Sequence, residues 1–138
     1  MVWKETMKEW GSGDISFLSE DGEVIEFMVV GDPHLIEGKF RGNETKRVGI
    51  PAMTLEGFTL LVIGMRVARR LAKYEGEFKK RVFSLLRRGE QGDTKTRYEL
   101  TLLEDPSLDK LYLAAVQRGV DKTEIADAVK AAKEAANG

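Results

Sequence analysis

The sequence of 138 residues contains no cysteine, one histidine and three prolines. Without cysteine there is no disulfide framework, no thiolate metal site and no cysteine nucleophile. A reducing, cytoplasmic setting is the expectation. His34 alone rules out a two-histidine metal site, and beside Pro33 it reads as structural or exposed rather than catalytic. No apolar run approaches the roughly 18–20 residues that span a bilayer, so no membrane partner is expected. Met1-Val2-Trp3-Lys4-Glu5 does not read as a secretory signal. No phosphate-binding Gly-x-x-x-x-Gly-Lys-Ser/Thr loop, His-Glu-x-x-His pair or Gly-x-Ser-x-Gly elbow occurs. The carboxylates Asp14, Glu20, Asp21, Glu23 and Glu26 crowd around a turn and read as solvated rather than as a metal site. The chain therefore reads as a non-enzyme, with no cofactor and no metal.

What the chain has in quantity is charge. Hydrophobic residues make up 42% and charged residues 33%, enough for one core under a very ionic surface. High charge without cysteine also suits a thermophile. The net charge of −1 conceals a strong segregation. Met1–Gly38 carries a net −7, Lys39–Arg97 a net +9, and Tyr98–Gly138 a net −3. Such asymmetry is a statement about partners. Either the basic middle meets a polyanion, or acidic and basic segments neutralise each other across a sheet.

Along the chain, Asp14–Ser19 predicts a brief strand and Glu-Asp-Gly at 20–22 a turn. Glu23–Val30 is apolar at both alternate sets and belongs at the centre of a sheet. His34–Glu44 reads as a loop with a basic centre. Strands are expected over Thr45–Met53, Phe58–Ile63, Phe78–Arg88 and Thr94–Leu103, with Pro51 marking an edge or bend. Met65–Tyr74 predicts a short amphipathic helix. After Asp105-Pro106 the pattern turns helical, with Ser107 and Asp121 as expected N-caps.

Three strands, a helix and two strands is the element order of the five-stranded OB-fold barrel, β-β-β-α-β-β. The expected fold is mainly β with C-terminal helices. Three segments carry a family resemblance: Phe27-Met28-Val29-Val30-Gly31-Asp32-Pro33, the connector Gly64-Met65-Arg66-Val67-Ala68-Arg69-Arg70-Leu71, and the run from Leu86 to Tyr98. By these the core resembles OB-fold single-stranded DNA-binding proteins of phage and archaeal type, over about three-fifths of the chain. The acidic, glycine-rich tail common in bacterial members is missing. The expected division is an arm and short strand over 1–22, a nucleic-acid-binding OB domain over 23–105 and a helical extension over 106–138.

Single-strand binding needs cations along the phosphates and flat side chains against the bases. The residues singled out for this are Lys39, Phe40 and Arg41 in the basic loop, and Lys46, Arg47 and Phe58 on the second and third strands. Arg81, Phe83, Arg87 and Arg88 are singled out on the fourth strand, and Lys95, Arg97 and Tyr98 on the fifth. The resemblance implies single-stranded DNA as the partner in replication, recombination or repair; RNA and an acidic protein are the alternatives. Phe27, Phe58 and Phe78 read first as core. Arg66, Arg69, Arg70 and Lys73 admit two readings, a phosphate contact or the solvated face of a helix. Leu108, Leu111, Tyr112, Ala115 and Val116 form a stripe suited to a protein partner or to self-association.

Overall fold

The computed structural model describes residues 15–40, 43–90, 95–117 and 122–137. Seven strands run in chain order: β1 (Ile15–Ser16), β2 (Val24–Val29), β3 (His34–Phe40), β4 (Asn43–Thr54), β5 (Gly57–Gly64), β6 (Val82–Arg88) and β7 (Arg97–Leu103). Helix α1 (Met65–Ala72) and a 3-10 turn (Glu75–Glu77) lie between β5 and β6. Helices α2 (Pro106–Gln117) and α3 (Lys122–Asn137) follow β7. The architecture is mainly β with C-terminal helices, as expected. No helix among the described residues is long and apolar enough to cross a membrane.

The strands form one mixed sheet in the order β1-β5-β4-β2-β6-β7, with β3 paired to β4. β1 runs parallel to β5, and every other pair is antiparallel. β2 joins the two halves. Its first four residues pair with β6, Val24 opposite Leu86 through Phe27 opposite Phe83. Its last two pair with β4, Met28 opposite Met53 and Val29 opposite Ala52. Only its second half is covered on both faces: Phe27, Met28 and Val29 are buried, whereas Val24 and Glu26 are exposed.

Alternation along the strands sends side chains into different cores. Phe27, Val29, Val48, Ile50, Ala52, Leu61, Ile63, Phe83 and Leu85 pack on one face with Val67 and Leu71 of α1. On the opposite face, Ile36 and Leu60 meet Ala128, Val129 and Ala132 of α3. Beside them Met28 and Val82 enclose Tyr112 of α2. The sheet thus has α1 on one side and α2 and α3 on the other.

Two expectations are corrected. The segment beginning at His34 is a strand, not a loop: His34 opposite Gly49 through Phe40 opposite Asn43 makes a long hairpin with β4. Ile36 is buried beneath α3, and a Cβ on Gly38 would strike the main chain of Ala136, so glycine here permits close helix packing. With β1 and β3 added there are seven strands rather than five. Among the described residues β5 and β7 share no ladder, so the sheet is open rather than a closed five-stranded barrel. Pro51 lies inside β4, between its β3-paired and β2-paired stretches, where a missing N–H breaks no ladder bond.

The C-terminal helices are tied to the sheet. Asp105, not Ser107, caps α2: its Oδ1 accepts from the N–H groups of Ser107 at 3.0 Å and Leu108 at 3.2 Å. Pro106 then occupies the first helical position, where no N–H is required. Tyr112 is buried and its hydroxyl donates to the Glu26 carbonyl at 3.2 Å. The same burial and the nearby Glu26 charge push its pKa up to about 12. Leu108 and Val116 pack beside it, so the apolar stripe of α2 is largely used within the chain and only Leu111 stands well out.

Candidate functional site

The residues singled out on β6 and β7 separate into two faces. Phe83, Leu85 and Arg87 point inward, Arg97 is exposed on the outward set of β7, and Lys95 is exposed in the turn before that strand. The residues singled out on these strands therefore do not share one face. Phe83 is 0% exposed, with Phe27 stacked on it at 6.0 Å and Phe78 edge-on at 5.9 Å. It is a core ring and offers no surface to a base. Tyr98 and Phe58 are half-buried, each packed against a core cluster. Both alternate sets of β6 mix apolar and polar residues, so the sequence alone carried no signal for which faced in.

Arg87 is also internal. At 9% exposure it donates to the carbonyls of Gly89 at 2.9 Å, Leu18 at 3.1 Å and Glu90 at 3.2 Å, and to the Tyr98 hydroxyl at 2.8 Å. Its guanidinium organises the turn after β6 rather than meeting a phosphate. Arg81 lies 3.5 Å from Glu77 and 3.4 Å from the buried Asp109, whose other oxygen accepts from the Val82 N–H at 3.3 Å. Arg88 is exposed but pairs with Glu99 at 3.0 Å. The turn carboxylates are engaged too: Glu23 Oε1 accepts from Ser19 and Glu20, and Asp21 accepts from the Gly89 N–H at 2.9 Å.

Lys46 and Arg47 are both exposed on β4, on opposite faces by strand alternation. Lys46 takes the side on which Val48 and Ile50 pack with α1. Arg41 and the side chains of Lys39 and Phe40 lie outside the described residues, as do Trp3 and Trp10.

The strongest concentration of uncompensated charge is on α1. Val67 and Leu71, four apart, bury one face of the helix in the core, with Met65 and Ala68 half-buried beside them. Arg66, Arg69, Arg70 and Lys73 fall at i, i+3, i+4 and i+7 and are all exposed, so they form one stripe on the other face. α1 contains no acidic residue. None of the four enters a salt bridge among the described residues. Like charges at these spacings oppose the helix by about 0.2–0.5 kcal/mol per contact. Arg69 and Arg70, in the last turn, also face the negative end of the helix dipole.

One link ties the stripe to the sheet. Arg70 Nη1 donates to the Tyr98 carbonyl at 2.9 Å, which brings α1 against β7. Lys46, exposed on the α1 side of β4, adds a further cation on that side. The chemistry available is multivalent attraction for a polyanion. Among the described residues no group of three or more His, Asp or Glu is placed to hold a metal ion. The spacing of the stripe was visible in the sequence; its lack of internal partners required the structure. Comparison with known proteins found no matching family, no matching curated protein and no matching solved structure.

Proposed function

We propose that this chain binds a single strand of nucleic acid, DNA foremost, without reading its sequence, and serves DNA replication, recombination or repair as a binding protein rather than an enzyme. The observation that carries the reading is the α1 stripe of Arg66, Arg69, Arg70 and Lys73, with no internal counter-charge among the described residues. Lys46 on the α1 side of β4, Arg97 at the start of β7 and Lys95 just before it add to the exposed basic surface.

We read β2, β4, β5, β6 and β7, with α1 after the third, as an OB-type arrangement. The pairing order β5-β4-β2-β6-β7 and the sharing of β2 between two halves support that reading. In it, α1 lies between the third and fourth strands, and the long β3–β4 hairpin enlarges the first inter-strand connection.

One observation favours a second reading. Phe83 is buried and Tyr98 half-buried, so the β6–β7 surface lacks the rings that distinguish a strand from any other polyanion. An acidic protein partner would need only the charge. Fluorescence-polarisation titrations with single-stranded DNA, duplex DNA and single-stranded RNA, at low and moderate salt, decide the matter. The strand reading requires salt-sensitive binding that favours single-stranded over duplex DNA. Absence of oligonucleotide binding at low salt overturns it in favour of the protein partner.

A further inference from the structure

We propose that Tyr74 is a base-stacking platform at the C-terminal end of the α1 stripe, an inference that rests on the strand-binding reading above. Tyr74 follows Lys73 and lies four residues after Arg70. Its N–H bonds to the Leu71 carbonyl at 2.9 Å, so the helical turn carries through to it, and it sits at the edge of the core-facing side of the helix, one turn after Arg70. Tyr74 is 36% exposed, which sets it apart from Phe27 and Phe83 beneath it, both fully buried.

The support under the ring is rigid. Tyr74 meets Phe83 edge-on, with centroids 5.7 Å apart and planes at 62°. Phe83 is in turn held by Phe27 at 6.0 Å and Phe78 at 5.9 Å. A ring fixed from below has little conformational freedom left to lose when a flat ligand covers it, which favours affinity. Aromatic faces accept any base, so a platform here adds affinity without sequence preference.

The experiment compares an oligothymidylate with an abasic strand of equal length and equal phosphate number, for wild type, Tyr74→Phe and Tyr74→Ala. Wild type and Tyr74→Phe are expected to prefer the base-bearing strand by about ten-fold, and Tyr74→Ala to lose that margin while still binding the abasic strand. Photo-crosslinking of wild type to a bromouracil-containing strand, mapped by mass spectrometry, should place the adduct at Tyr74 and does not depend on any variant folding. Equal binding of the two strands by wild type, or an adduct elsewhere with Tyr74→Ala unaffected, overturns the platform and leaves the phosphate contacts standing. No binding of either strand at low salt overturns the strand reading itself, and the platform with it.

Discussion

Arg87 donates to the phenolic oxygen of Tyr98 at 2.8 Å while its guanidinium carbon lies 5.7 Å from the centre of the same ring. With three carbonyls completing its partners, this arginine is an internal strut between β6, β7 and the segment before β2. Replacement by methionine leaves those acceptors unsatisfied and should destabilise the protein by about 2–3 kcal/mol. Urea unfolding checks this. Affinity for single-stranded DNA, measured where the variant is folded, should stay within about two-fold; a ten-fold loss of affinity at unchanged stability would return Arg87 to the phosphate-binding set.

The cap of α2 distinguishes two neighbouring residues. Asp105→Ala removes the acceptor for two N–H groups and should cost about 1 kcal/mol. Ser107→Ala should change stability by no more than a few tenths of a kcal/mol, since its side chain caps nothing. Thermal denaturation of both variants tests the assignment.

Gly38→Ala would push a methyl group into the main chain of Ala136 and displace α3 from β3. Overpacking of this kind costs roughly 1–3 kcal/mol. Ala136→Gly should recover only part of it, because the carbonyl of residue 136 remains in the way. Chemical denaturation of the single and double variants measures both quantities.

The stability of the fold should fall at alkaline pH through Tyr112. Its pKa is raised from 10.0 to about 12 in the folded state, first by burial and then by Glu26. For an acid held neutral by folding, the stabilisation is fully present below the unfolded pKa and is lost as pH rises between the two values. Stability should therefore hold to about pH 9 and decline from about 10 to 12. In Tyr112→Phe that component of the decline should be absent, with a lower plateau for loss of the bond to Glu26. Denaturation curves across this range, wild type against variant, isolate the residue from the lysines that titrate nearby.

The sequence and the structure agree where one physical signal dominates. Consecutive apolar residues at Phe27, Met28 and Val29 mark a stretch covered on two faces, and there the agreement holds, while Val24 at the start of the strand is exposed. The amphipathic pattern over Met65–Tyr74 defined α1, although its buried positions are Val67 and Leu71 and Ala72 is exposed. The signal failed where two causes share a residue type. The basic centre of His34–Glu44 reads as a loop, whereas the segment is a strand whose Gly38 lets a helix pack closely. Arg87 and Arg88 are adjacent and chemically identical, yet strand alternation sends one inward and the other to Glu99. Phe83 and Tyr74 are both aromatic, and only packing decides that the first is core and the second exposed. The Asp105-Pro106 pair did carry the correct cap, since proline favours the first helical position.

The central claim is that the α1 cations meet phosphates. The measurement that tests it most directly is the salt dependence of single-stranded DNA binding, for wild type and for Arg66→Gln/Arg69→Gln/Lys73→Gln. Arg70 is left in place because it holds the Tyr98 carbonyl. Each phosphate contact contributes about 0.7 to the slope of log Kobs against log salt on a single strand. The triple variant should lower the slope by about 2 and weaken binding at low salt, with stability unchanged or raised by a few tenths of a kcal/mol as like-charge repulsion is relieved. A slope and affinity equal to wild type would contradict the account.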